Sequence, residues 1–167
     1  QQHYESQKQM RAQAKMERVC SRVKIWLMLA RVEISTGDIG RLGYAIDALN
    51  ACITVARSIV QHSDSKEKVL SEACMIEALV MRAAVDIERI EAEAEMGKKR
   101  QHAKGLGESR EDDSTKDEMH RALVSTAIPH LQEALSSCEA SKNPSSRALT
   151  SIARALLVAA LRLADDD

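Results

Sequence analysis

Aliphatic residues return every three or four positions in five separate stretches of this chain, and that period constrains the fold more than any other feature. The apolar complement is almost wholly Ala, Leu, Val, Ile and Met, with 24 alanines and no phenylalanine. Small side chains let helix axes approach closely, and Ala, Leu, Met, Glu, Lys, Arg and Gln are the strongest helix formers. Six glycines and two prolines leave little material for hairpin turns. An all-α fold follows, and at 167 residues the chain is long enough to bury about two-thirds of its unfolded surface as one domain.

The period predicts the elements one by one. Val19, Val23, Trp26, Leu27, Ala30 and Ile34 mark one stripe of a first helix over residues 4–35, whose first third is polar and is expected to protrude. Gly37 follows it, suited to the left-handed conformation that ends a helix. A second helix over 41–61 buries Ala45, Ala48, Leu49, Cys52, Val55, Ala56 and Ile59, and the short connection makes the pair an antiparallel hairpin. Asp64 and Glu67 resemble a capping box for a third helix reaching about residue 96, with Val69, Leu70, Ala73, Cys74, Ile76, Leu79, Val80, Ala83, Ala84, Ile87 and Ile90 as its apolar rows.

Between 97 and 113 the pattern lapses. Gly97, Gly105 and Gly107 accompany a basic run (Lys98, Lys99, Arg100, His102, Lys104) and then an acidic one (Glu108, Glu111, Asp112, Asp113), which predicts a flexible charged loop within a single domain of residues 1–167. Ser114 with Asp117, or Thr115 with Glu118, would cap a fourth helix running to about residue 140 through Leu123, Ala127, Leu131, Ala134, Leu135 and Cys138, with Pro129 kinking or restarting it. Asn143 and Pro144 open a fifth helix over 145–164, apolar on more than one side through Leu149, Ile152, Ala153, Leu156, Leu157, Ala160 and Leu161. Asp165, Asp166 and Asp167 place negative charge at a negative helix end, which leads us to expect further chain beyond them.

The first hairpin resembles the tetratricopeptide repeat, a helix–turn–helix unit of about 34 residues. Trp26, Leu29 and Ala30 fall at that family's first-helix spacing, and Gly37 and Asp38 at its turn. Ala45, Leu49 and Cys52 supply the second-helix trio with about three extra residues in 39–43. Glu33 stands where the family has tyrosine, Leu49 replaces its aromatic residue, Cys52 its alanine, and no proline closes the unit. The resemblance implies a right-handed α-solenoid fragment of about five helices that binds a protein or peptide along a groove of first helices, here exposing Lys24, Leu27, Arg31 and Ile34. Those four do not reproduce the family's clamp for C-terminal carboxylates.

Charge and motifs narrow the function. The net charge of −1 comes from 24 basic and 25 acidic residues interspersed along most of the chain, which argues against a global nucleic-acid binder. Apolar runs fall short of a membrane span, and the first ten residues do not form a secretory signal, so the expected compartment is the cytoplasm. The nucleus is the alternative if the basic run over 98–104 is an import signal. Cysteines at 20, 52, 74 and 138 have no paired spacing and read as reduced, buried and structural rather than as a disulfide or zinc framework.

No phosphate-loop, nucleophile-elbow or dinucleotide motif occurs, and di-metal bundle chemistry needs Glu-x-x-His pairs where the chain offers one reversed pair, His130 and Glu133, read as a surface pair. The expectation is therefore a non-catalytic adaptor or scaffold with no cofactor, no metal and no small-molecule substrate. A self-associating bundle built on the long third helix is the competing reading.

Overall fold

The structure, a computed structural model, describes residues 2–62, 66–104, 111–141 and 146–165. It is all-α: the described residues form six α-helices and one 3-10 turn, with no strand among them. The helices are α1 (Gln2–Ser35), α2 (Leu42–His62), α3 (Lys66–Lys104), α4 (Glu111–Ser125), α5 (Ala127–Ala140) and α6 (Ser146–Asp165). The chain divides into two compact units, Gln1–Ala78 and Leu79–Asp167, so the early turns of α3 belong to the first and the rest of that helix to the second.

In the first unit α1 ends where Gly37 adopts φ +65, a backbone state open to glycine at little cost, and its N–H donates to the Ile34 carbonyl at 3.1 Å. The hydroxyls of Ser35 and Thr36 satisfy two more carbonyls of the last turn, Val32 and Glu33, each at 2.7 Å. Asp38 then caps the 3-10 turn Ile39–Arg41 by accepting from the Gly40 N–H at 2.9 Å. The short reversal lays α2 back along α1. Val23, Leu27 and Ala30 meet a core to which α2 gives Ala45, Leu49, Cys52 and Ala56, and α3 gives Cys74, Ile76 and Ala78. Each large aliphatic side chain enclosed this way contributes about 1.5–3 kcal/mol. Cys20 lies opposite Ser71, and Arg31 opposite Glu77, so α3 ascends beside α1 in the same direction.

The buried stripe of α1 runs Cys20, Val23, Leu27, Ala30 and Glu33, so Trp26, placed in the stripe by spacing alone, lies at its edge and is 37% exposed. Six of the seven core positions expected on α2 are buried, with Val55 half-buried. On α3 the register differs at its start: Val69 and Leu70 face solvent, while Ser71 and Met75 are enclosed.

In the second unit Leu79, Ala83, Val85 and Ile87 of α3 are buried, as are Leu123 of α4, Leu131, Ala134 and Cys138 of α5, and Ala153 and Ala160 of α6, and α4, α5 and α6 pack on one another. Residues 97–104, expected to begin a loop, continue α3, because one glycine costs a helix interior only about 1 kcal/mol and Gly97 sits between strong helix formers. The far end of that loop is also helical: α4 opens at Glu111, ahead of the expected caps at Ser114 and Thr115, and acidic residues suit a helix N-terminus.

The fourth expected helix is divided. α4 stops at Ser125 and α5 starts at Ala127, placing Pro129 in the first turn of α5, where its missing N–H is not needed. In an unbroken helix that N–H would have bonded Ser125. Around the break the Ala122 carbonyl takes the Thr126 N–H at 3.1 Å and the Thr126 hydroxyl at 2.7 Å. The expected roles of Asp64, Asn143, Pro144, residues 105–110, Asp166 and Asp167 lie outside the described residues.

Candidate functional site

Four residues of α1 were expected to line a groove, and the helix separates them. Leu27 is 4% exposed and belongs to the core. Ile34 is half-buried near the turn, and Lys24 is exposed. Arg31 is engaged by Glu77 of α3, with its Nε donating to Oε1 at 3.1 Å. Lys24 and Arg31 also act on Cys74, holding down a thiol pKa that burial and Glu77 push up. These cations therefore serve the flank of α1 that faces α3, and with Leu27 enclosed the four do not form one open surface.

The solvent side of the same helix is different. Ile25, Met28, Leu29 and Val32 follow the spacing of one helix face and are 61%, 62%, 41% and 59% exposed. They lie opposite Val23, Leu27 and Ala30, so α1 is apolar on both sides over this stretch. The sequence signal was present in the run from Ile25 to Ala30, but burial rather than spacing decides which apolar residue is core. Single exposed aliphatics need no explanation, whereas these four adjoin one another as one apolar patch.

A buried polar cluster lies in the second unit. Asp86 of α3 is enclosed, pairs with Arg82 one turn earlier, and has Oδ2 3.7 Å from Nδ1 of His130, beyond hydrogen-bond length. His130, expected to pair with Glu133 at the surface, is thus half-buried and turned toward Asp86. The pairing with Arg82 balances the charge of Asp86, because an isolated buried carboxylate would be costly.

Elsewhere in this unit, His120 Nδ1 donates to the Ala164 carbonyl at 2.7 Å, satisfying one of the last-turn carbonyls of α6. An open cleft of about 350 Å³ between α3 and α4 is lined by Ile90, Glu93, Ala94, Gly97, Glu118, Met119 and Ala122. Of its two carboxylates, Glu93 is paired with Arg89 at 2.8 Å, and no base or nucleophile stands among the lining residues.

All four cysteines are free and buried. Burial first, then the neighbouring Cys74 and Glu77, push the Cys52 thiol up to about 12, so at neutral pH it is a small apolar side chain and not a nucleophile. Among the described residues no cluster of His, Cys, Asp and Glu could hold a metal ion, and no helix is long and apolar enough to cross a membrane. No family model, curated protein or solved structure matches the chain.

Proposed function

We propose that the protein is a non-catalytic adaptor or scaffold that holds another protein through the solvent side of α1. One observation carries this reading: Ile25, Met28, Leu29 and Val32 form a continuous apolar face on a helix whose opposite side is already packed. A helix fixed on one side and apolar on the other presents a rigid docking ridge, the arrangement used by helix-in-groove recognition. The tetratricopeptide-like solenoid remains the proposed architecture for the first hairpin alone. Ala30, Ala45, Leu49 and Cys52 in its core support it, while Trp26 and Leu29 on the surface do not.

Capture from a cell extract with three forms of the chain tests the proposal. The intact chain and Lys24→Glu/Arg31→Glu are expected to retain the same partners, and Met28→Ser/Leu29→Ser/Val32→Ser to lose them while keeping its helical circular dichroism. Equal capture by all three would remove the outer face from consideration. Light scattering on the same proteins separates the competing reading: a dimer abolished by the serine substitutions would assign this face to a second copy.

A further inference from the structure

The apolar face of α1 does not end at Ile25; it is continued toward the N-terminus by charge. Lys8, Arg11, Lys15, Arg18 and Arg22 follow one another at intervals of three and four residues, and Ile25, Leu29 and Val32 extend the same series. All five cations are exposed, and none enters an ion pair among the described residues. Glu5 and Glu17 are the acidic residues of the first 24 positions, and Glu17 is occupied by the Gln13 amide at 3.4 Å. Between residues 4 and 15 every side chain of α1 is exposed, so this end of the helix projects beyond its own unit's packing.

From Lys8 to Val32 the series spans about 36 Å of helix. Its alternation of three and four is the spacing of the seam between two supercoiled helices.

Resting on the adaptor reading above, we propose that this seam receives an acidic amphipathic helix of another protein, with carboxylates opposite Lys8–Arg22 positions and aliphatics opposite Ile25, Leu29 and Val32. Charge decides against a second copy of α1. A parallel pair would set five cations against five, and an antiparallel pair would set cations against aliphatic side chains that cannot satisfy them. A nucleic-acid backbone would engage the cations but leave the aliphatic continuation in water. Helices that lie on anionic lipid carry their cations on the polar face, opposite or beside the inserted apolar one, whereas here the cations occupy the same line as the aliphatics. A partner helix with one acidic end and one apolar end uses the whole series.

Fluorescence anisotropy with the full chain tests this against four probes. The first is a synthetic helix of about four heptads with leucine at the seam positions of one end and glutamate at those of the other. The second replaces glutamate by lysine, the third is a single-stranded oligonucleotide, and the fourth a phosphatidylcholine–phosphatidylserine vesicle. The acidic helix is expected to bind at least about ten-fold more tightly than the basic one, with affinity falling as salt rises. Arg11→Glu/Arg18→Glu should remove that preference, and Leu29→Ser/Val32→Ser should weaken both helices.

If the two helices bind equally and only the serine variant matters, the acidic partner is refuted and the adaptor reading stands. Ridge-dependent binding of the oligonucleotide or vesicle, with no binding of the acidic helix, overturns the proposed occupant. If the serine variant binds every helix as the intact chain does, the apolar face is not a docking surface and both proposals fall.

Discussion

Arg41 grips Glu33 across the reversal between α1 and α2, its Nε 2.8 Å from one carboxylate oxygen and its Nη2 3.3 Å from the other. Glu33 is enclosed at the end of the α1 core stripe, so the carboxylate depends on this ion pair for its charge balance. The guanidinium is half-exposed, which dilutes the attraction, but the desolvated carboxylate is what suffers when its partner goes. Arg41→Ala is expected to destabilise the chain by about 1–3 kcal/mol, and Glu33→Gln/Arg41→Ala by less than Arg41→Ala alone. Urea unfolding of the three proteins checks this. Equal losses for the single and double variants would show that the carboxylate is not the sensitive group.

Leu27 and Leu29 lie two residues apart on α1 and face opposite environments. Leu27→Ala removes an enclosed side chain and is expected to cost about 2–5 kcal/mol. Leu29→Ser acts on a side chain that is 41% exposed and is expected to cost about 1 kcal/mol or less. Chemical denaturation of both variants reads the difference directly, and a large loss from Leu29→Ser would place that face inside a fold rather than outside it.

The Cys52 thiol sets a pH limit. Its pKa rises from 9.0 to about 12 in the folded chain, mainly through burial, so between those values the unfolded state releases a proton that the folded state retains. The stabilisation is fully present below about pH 9 and is lost as pH rises toward 12. Native protein is therefore expected to lose stability more steeply than Cys52→Ala across that window, measured as the slope of unfolding free energy against pH. Thiol reagents at pH 8 should label Cys52 rapidly only in denaturant.

Gly97 lies within α3, and a methyl group added there meets no atom within 4 Å. Gly97→Ala is expected to raise stability by about 0.5–1 kcal/mol through the higher helix propensity of alanine. Thermal unfolding followed by circular dichroism checks it. No gain would argue that this stretch does not stay helical in solution.

How far the sequence could be read is clearest on single helices. On α2, where one face is apolar and the other polar, the period picked out Ala45, Ala48, Leu49, Cys52, Ala56 and Ile59 correctly. On α1, the run from Ile25 to Ala30 offers several registers, and periodicity alone could not tell the enclosed Leu27 from the exposed Leu29. The groove of Lys24, Leu27, Arg31 and Ile34 was chosen by resemblance, and it breaks up because Leu27 is needed in the core and Arg31 is held by Glu77.

Pro129 marked the break near its place, but the chain separates at Thr126 because proline disturbs the turn before it. The polar contact of Asp86 with His130 was invisible, since 44 positions in sequence separate two residues that only tertiary packing brings to 3.7 Å. The cationic series from Lys8 to Arg22 was fully present in the sequence. A stripe made of charge has no place in the apolar period, which marks only buried faces.

The central claim, that the solvent side of α1 is where another protein docks, is tested most directly by amide hydrogen exchange on the intact chain with and without the acidic synthetic helix. Residues 4–15 are exposed on all sides and should exchange quickly in the free protein. The account predicts that the helix slows exchange through α1, from Lys8 to Val32, and leaves α5 and α6 unchanged. Slowing centred on α5 or α6, with α1 unaffected, would contradict it.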